Sequence, residues 1–209
     1  MSVLAHYVKW RLGLARAEGA TTAAEADCLV RHARGKRRLA EIGVWQGGTT
    51  ARLRAAMAPG ATLFAVDPFP KGRLGFSTQR AIATREVAKV ANGQVVWIRQ
   101  TAAEASRDAV VGRGGFEFVF LDALHTYEGL REDWEAWSPL VADGGVIAIH
   151  DSRASPGGHS QDVGGVRLTN DVILKDPRFA VVEAVDSLTV LRRRHDTDTD
   201  TERIETQRR

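Results

Sequence analysis

The chain has 209 residues and a mass of 22.8 kDa, with 44% hydrophobic and 26% charged residues. These values fit one soluble domain with a single buried core. They exclude a transmembrane protein, because no apolar run approaches the roughly 18–20 residues that a membrane-spanning helix needs. The net charge is +3 and the pI about 9.3. Basic clusters at 34–38 and 192–194 account for much of the excess, and such short clusters favour a solvated rim over a nucleic-acid surface.

The single cysteine, Cys28, limits how the chain is stabilised. One thiol cannot form an internal disulfide or a cysteine-rich zinc site, so any bound metal is expected to have oxygen or nitrogen ligands. The N-terminal sequence has no basic lead followed by a long apolar stretch. Nothing therefore marks the chain for secretion, and a cytoplasmic location is expected.

The predicted elements alternate between apolar strands and amphipathic helices, which is typical of a parallel sheet covered by helices. Two helices, at 2–17 and 22–32, precede the first strand and are expected to pack on the domain or on a second copy in a homodimer. Five strands follow that are short and almost continuously apolar, as strands buried on both faces are. They lie at 39–44, 62–66, 95–98, 116–121 and 146–149.

Three helices are predicted between these strands, at 49–57, at 78–90 and from 127 until Pro139. The third helix has an apolar stripe that is expected to face the core, with charged residues including Asp133 on its other side. The stripe consists of Tyr127, Leu130, Trp134 and Trp137.

The last two strands are predicted to be antiparallel. They lie at 179–185 and 188–191, separated by only two residues, whereas a parallel crossover needs about a dozen or more. The predicted fold class is α/β, a Rossmann-like doubly wound sheet of seven strands, mostly parallel with a terminal antiparallel hairpin. Residues 1–194 then form one domain, and 195–209, which alternate Asp and Thr, are expected to be disordered.

The turn after the first strand has a ligand-binding pattern, Glu41-x-Gly43-x-x-x-Gly47. Glycines let a ligand approach the backbone, and the helix that follows presents its positive end. The spacing differs from that of dinucleotide-binding turns, and an acidic residue here would repel a pyrophosphate. Asp67 ends the second strand, where a carboxylate can bind both hydroxyls of a ribose. The ligand is therefore expected to carry a ribose and a positive charge, unless the glycines only form a tight turn.

S-adenosylmethionine has these features, and at this point the sequence resembles the class I methyltransferases over most of its length. In that family the first turn holds the methionine part, the acidic residue after the second strand holds the ribose, and the segment after the third strand contacts the adenine. The resemblance implies a cofactor site made of Glu41, Gly43, Gly47, Asp67, Thr101 and Asp122.

Two carboxylates are expected to be neighbours in the crevice beyond the sheet, because Asp122 ends the fourth strand and Asp151 ends the fifth. Such carboxylates repel each other unless a proton or a cation lies between them. Oxygen ligands of this kind suit Mg²⁺, Mn²⁺ or Ca²⁺. A divalent cation, Mg²⁺ or another, is therefore predicted at this site.

The motifs LDALHTYEGL and GGVIAIHD around these two residues resemble the metal-dependent small-molecule O-methyltransferases. The likeness is greatest to the branch with macrocin and mycinamicin O-methyltransferases, and catechol O-methyltransferase is a more distant relative. The resemblance implies that Asp122 and Asp151 coordinate magnesium and that His125 is the general base. Ser152 stands where the relatives carry an Asp or Asn ligand, and it is expected to ligate weakly or to be replaced by a water.

Near neutral pH an imidazole can accept a proton, which supports His125 as the base for a substrate hydroxyl, although it could instead only cap the following helix. His150 is expected to point to the opposite face of the strand and to be structural. The segment 152–166 has the composition of a mobile loop. It is expected to be a substrate lid with His159 and Asp162 as contacts, or else a plain connector.

These features predict a divalent-metal-assisted, S-adenosylmethionine-dependent O-methyltransferase that acts on a hydroxyl of a small molecule, such as a sugar or a polyphenol of secondary metabolism. Ser152 leaves open a metal-independent methyltransferase with an O or N acceptor. The basic clusters leave open a non-catalytic module that binds nucleotides or nucleic acid. No membrane partner is expected.

Overall fold

The computed structural model describes residues 3–72, 75–154 and 164–195. Within these ranges one sheet contains β1 (Arg38–Ile42), β2 (Thr62–Val66), β3 (Gln94–Ile98), β4 (Phe116–Leu121), β5 (Val141–Ile149), β6 (Phe179–Val185) and β7 (Leu188–Arg193). The helices are α1 (Val3–Arg11), α2 (Ala23–Ala33), α3 (Gly48–Ala56), α4 (Thr78–Ala88), α5 (Ala102–Ser106), α6 (Tyr127–Trp137) and α7 (Gly164–Asp171). Among the described residues, no helix has the length and apolar character to cross a membrane.

The strands follow the order β3-β2-β1-β4-β5-β7-β6. Strands β1 to β5 are parallel to one another, and β7 pairs antiparallel with both β5 and β6. The predicted α/β sheet of seven strands with a terminal antiparallel hairpin is thus confirmed. The order reverses between β1 and β4, and at such a switch point the loops leaving the two strands diverge and open a crevice.

The core fills both faces of the sheet, because successive side chains of a strand point to opposite sides. On one face, Trp134 and Trp137 of α6 pack with strand residues such as Phe116. On the other face, Cys28 of α2 and Leu53 of α3 pack with the remaining strand residues. The predicted apolar stripe of α6 therefore does face the core.

Several element boundaries differ from the prediction. Strand β5 begins at Val141, five residues before the predicted start, and its pairing with β4 has a register shift at Phe116 that accommodates the extra residues. Helix α1 ends at Arg11, because Gly13 turns the chain with a φ of 73°. The short helix α5 was not predicted; Thr101 caps it by accepting the backbone N–H of Glu104.

The predicted loop at 152–166 is described only in part. Helix α7 begins at Gly164, so the last three residues of that segment are helical rather than loop. The candidate lid residues His159 and Asp162 lie outside the described residues, as does the chain from 196 onward.

Candidate functional site

A cavity of about 570 Å³ lies where β1, β2 and β4 end. Small-molecule sites usually have volumes of about 300–1,000 Å³. The predicted site residues that line this cavity are Gly43, Asp67, Thr101, Asp122 and His125. The other predicted site residues, Glu41, Gly47, Asp151 and Ser152, do not contribute to its lining.

The two predicted glycines have a steric role in the turn after β1. A Cβ on Gly43, where φ is 90°, would lie 2.1 Å from the carbonyl oxygen of Asp122. A Cβ on Gly47, where φ is 77°, would lie 2.9 Å from Cα of Ala83. Gly43 therefore allows the ends of β1 and β4 to approach beside the cavity, and Gly47 allows α3 to begin against α4.

Asp67 holds the turn after β1 and also forms part of the cavity wall. Its Oδ2 accepts the backbone N–H groups of Val44 and Trp45, both at 3.1 Å, and its Oδ1 accepts that of Phe69 at 2.7 Å. The side chain is half-buried. A carboxylate oxygen has two lone pairs, so Asp67 retains acceptor capacity toward a ligand.

Glu41 does not face the cavity. It is 1% exposed and lies on the sheet face that α3 covers, close to Thr50. Burial raises the pKa of Glu41 well above its usual value; the Thr50 hydroxyl opposes this, while the charges of Asp122 and Asp67 add to it. The folded state therefore favours the neutral carboxyl. Glu41 is not part of the cavity lining, and its contact with a cofactor stays a prediction.

Asp122 and Asp151 do lie close together, as predicted, but a third side chain stands between them. His150 Nδ1 is 2.9 Å from Oδ1 of Asp122 and 3.5 Å from Oδ2 of Asp151. The His150 side chain is 5% exposed. The expectation that His150 points away from this site was therefore wrong: its ring faces the carboxylates.

The strand register explains this position. Phe120 of β4 pairs with Ala148 of β5, so Asp122 and His150, two residues further along, become neighbours on the same face. Alternation along one strand could not reveal this, because it does not say how two strands are aligned.

His150 is a cation at neutral pH. Burial alone would lower the pKa of its imidazole, but the hydrogen bond and charge of Asp122, together with the charges of Asp151 and Glu25, raise it to about 9. Two carboxylates that would otherwise repel each other thus share a positive charge that the chain itself supplies.

Glu25 supports His150 from the other side of its ring. Its Oε2 is 3.3 Å from Nε2 of His150. It also accepts the backbone N–H of Ser187 at 2.9 Å, the Ser187 hydroxyl at 2.7 Å and the backbone N–H of Thr22 at 2.8 Å. Burial disfavours the ionised form, but these hydrogen bonds outweigh it and lower the pKa of Glu25. The sequence analysis missed Glu25, because nothing in its local pattern connects α2 with the end of β5.

His125 lies at the cavity with about half of its side chain exposed. Its Nδ1 is 3.1 Å from Oδ2 of Asp151. The alternative role as a helix cap is taken by Thr126, whose hydroxyl accepts the backbone N–H of Gly129 at the start of α6. The His125 ring is therefore oriented by a carboxylate and forms part of the cavity wall.

Ser152 does not join this group. Its hydroxyl is buried and donates toward the hairpin, where Thr189 Oγ1 is 2.7 Å away and the carbonyl oxygens of Ile149 and Ser187 are 2.9 and 3.0 Å away. These hydrogen bonds direct the hydroxyl of Ser152, the predicted third metal ligand, away from the carboxylates.

In the crevice, the two carboxylates that were predicted to hold a divalent cation both contact a histidine. Of the residues that the structure describes, the three metal-ligating side chains whose ligand atoms all lie within 4.8 Å of one another are Cys28, His32 and Glu183, outside the crevice. In the crevice, the His150 imidazole lies between the two predicted carboxylate ligands. A divalent cation at Asp122 and Asp151 stays a prediction.

Asp133 is a cavity residue that the sequence analysis placed on the outer side of α6. It is 3% exposed, and it accepts a hydrogen bond from the backbone of Leu124, next to His125. Burial, helped by the charge of Glu132 and opposed by the Leu124 hydrogen bond, raises the pKa of Asp133 to about 7. The sequence did contain a signal for this burial: Asp133 lies one helical turn before Trp137, on the buried side of α6.

A comparison with protein families gives one match: a family model described as a methyltransferase domain matches residues 40–152. This range begins in β1 and ends just after β5, so it includes both aspartates and the cavity lining apart from Ala20.

Solved structures with the same fold include several methyltransferases. A protein from Corynebacterium glutamicum is 16% identical with a TM-score of 0.65, over 92% of this chain and 89% of that one. The O-methyltransferase TomG from Streptomyces achromogenes, in complex with S-adenosylmethionine, is 18% identical with a TM-score of 0.59, over 92% and 88% of the two chains. An O-methyltransferase from Bacillus cereus, in complex with S-adenosylhomocysteine, is 18% identical with a TM-score of 0.61, over 89% and 87%. At these identities the likeness establishes a shared fold.

Proposed function

The chain belongs to the methyltransferase domain family, and from this premise we propose that it transfers a methyl group from S-adenosylmethionine to a hydroxyl of a small molecule. The observation that carries the choice of a hydroxyl is the pair of His125 and Asp151 at the cavity, with Nδ1 and Oδ2 3.1 Å apart. An alcohol or phenol needs a base to become a good nucleophile, and a carboxylate-oriented imidazole supplies one.

The cavity has the features that an adenosine-bearing ligand requires. Asp67 has one lone pair left on Oδ1, which can accept a hydrogen bond from a ribose hydroxyl. Residues 100–103 and Asp133 also line the cavity. S-adenosylmethionine supplies an activated methyl group on a sulfonium, so the protein's task is to align the acceptor and remove its proton.

The proton path follows from the contacts of His125. As the acceptor oxygen forms its bond to the methyl carbon and the carbon–sulfur bond breaks, the hydroxyl proton passes to the imidazole of His125. The Nδ1 side is held by Asp151, which stabilises the imidazolium that results. Asp151 can do this because His150 compensates the charge of Asp122 beside it.

The sequence also predicts that the transfer is assisted by a metal, with Asp122 and Asp151 as the residues that would hold Mg²⁺. The buried Ser152 hydroxyl and the intervening His150 favour the metal-independent alternative instead. We therefore propose that His125 acts without a metal.

The acceptor is proposed to carry a ring, such as a sugar or a polyphenol. Trp45 and Leu124 both line the cavity, and they are 48% and 52% exposed. Large apolar side chains exposed at a pocket favour ligands with flat or apolar faces.

The test is a screen of hydroxyl-bearing acceptors with release of S-adenosylhomocysteine as the readout. With the best acceptor, His125→Ala is expected to lower kcat by about 10²–10⁴-fold and to leave cofactor affinity, measured by calorimetry, unchanged. His195→Ala, at an exposed histidine outside the cavity, is the matched control. Wild-type turnover in His125→Ala would contradict the assignment of the base.

A further inference from the structure

A second cluster of chemically active side chains lies on α2 and β6, outside the cavity. Cys28 and His32 are four residues apart, so they lie on the same face of α2. Glu183 of β6 faces them, and the three ligand atoms all lie within 4.8 Å of one another. The distance between His32 Nε2 and Glu183 Oε2 is 2.9 Å.

The surroundings of this cluster are apolar on one side and open on the other. Cys28 is 0% exposed and packs in the core between α2 and the sheet. The side chains of His32 and Glu183 are 16% and 31% exposed, so an ion can reach the cluster from solvent. Arg31 pairs with Oε1 of Glu183 and leaves Oε2 directed toward His32.

We propose that Cys28, His32 and Glu183 form a binding site for a borderline-soft divalent cation such as Zn²⁺. Sulfur, imidazole nitrogen and carboxylate oxygen are the three ligand types that Zn²⁺ takes in proteins, and three protein ligands leave a fourth tetrahedral position for water on the open side. As the sulfur–metal bond forms, the thiol proton of Cys28 is released to solvent, and thiolate and carboxylate together balance the two charges of the ion.

An ion pair between α2 and β6 would explain Arg31, His32 and Glu183, but it does not require a thiol beside the Glu183 carboxylate, where any small core residue could pack. Without a metal, the Cys28 thiol carries a proton, and its sulfur lies within 4.8 Å of the ligand atoms of His32 and Glu183. A buried cysteine directed at a His–Glu pair is instead the arrangement in which a metal can displace that proton.

Cobalt is the most informative probe, because a cobalt–thiolate bond gives a charge-transfer band in the near ultraviolet. Cys28 is the single cysteine of the chain, so this band reports on no other site. Titration of the full chain with Co²⁺ is expected to give the band with one equivalent of metal, and Zn²⁺ is expected to displace it.

Variants separate a metal site from an ion pair. Cys28→Ser is expected to abolish the band, and His32→Gln to weaken Co²⁺ binding by about 100-fold. Arg31→Gln, which removes the ion pair but no ligand, is the control and is expected to retain the band. Because Cys28 is buried, circular dichroism checks that its variant is folded, and the variant of the partly buried His32 provides a second test. No band in the wild type, or equal affinity in His32→Gln, would overturn the proposal.

Discussion

His150 is a buried residue that carries a positive charge at neutral pH. Its imidazolium contacts carboxylates from β4, from the turn after β5 and from α2, with atom distances between 2.9 and 3.5 Å. A buried cation among three anions stabilises the fold only while it remains protonated. The difference in unfolding free energy between the wild type and a His150 variant therefore shows how much this charge contributes at each pH.

Loss of the charge is expected to destabilise the protein in a pH-dependent way. The pKa of His150 is about 9 in the folded chain and 6.5 without these partners. Its contribution is therefore complete below about pH 6.5 and is lost as the pH rises through about 9; it amounts to on the order of 3 kcal/mol. The difference in free energy of unfolding between wild type and His150→Gln, measured in urea, should shrink from about pH 6 to pH 10. A difference that stays constant over this range would show that the charge is not responsible.

Asp133 should also make the unfolding free energy depend on pH, in a lower pH range than His150. Its pKa rises from 3.8 to about 7 in the folded protein, so the folded state favours the neutral carboxyl. This contribution is present below about pH 4 and is lost as the pH rises through about 7. Relative to Asp133→Asn, whose side chain is always neutral, the wild type should lose about 3 kcal/mol of unfolding free energy between pH 5 and pH 8. Glu41 also has a raised pKa, but it is present in both proteins and cancels in the difference; equal pH profiles would contradict the assignment.

At the scale of elements, the approach of β1 to β4 depends on one missing side chain. Gly43→Ala places a Cβ 2.1 Å from a backbone oxygen at a φ of 90°, so both contact and conformation are unfavourable. Gly60 has a similar φ of 73° but nothing within 4 Å of its Cβ position. Gly60→Ala is therefore expected to cost only the conformational penalty of about 1–2 kcal/mol, and Gly43→Ala clearly more. Thermal melts of the two variants compare the costs, and similar melting temperatures would mean that the close approach is not required.

The elements were predictable wherever a local pattern determines them. Runs such as 116–121, in which Glu117 is the single polar residue, could be recognised as buried strands. The two-residue connection at Asp186 could only be a hairpin. Helix α5 has five residues, too few to show a helical period, and only the cap at Thr101 marks it.

The site was less predictable than the fold, because its contacts join elements distant in sequence. Asp122 and Asp151 could be placed at one edge of the sheet from the rule for parallel strands. The position of His150 depends on the register of β4 and β5, and that of Glu25 on how α2 docks against the hairpin. Neither register nor docking is visible in the local sequence pattern.

At the scale of the whole molecule, metal removal distinguishes the two forms of the proposed reaction. Treatment with EDTA is expected to leave turnover unchanged, because His150 supplies the positive charge at Asp122 and Asp151. The His32→Gln variant, which lacks the proposed zinc site, allows the same measurement without interference from that ion. Activity that disappears with EDTA and returns with Mg²⁺ would instead support the metal-assisted form.

The hydrogen bonds from Ser187 to Glu25 join residues 162 positions apart in the chain. During synthesis, α2 leaves the ribosome long before the β6–β7 hairpin exists. The Glu25 side chain therefore stays solvated until the hairpin forms. The buried network around His150 is thus completed only when nearly all of the chain has been made. A nascent or prematurely terminated chain that lacks the hairpin would therefore be a poor catalyst, even with every residue of the matched family region in place.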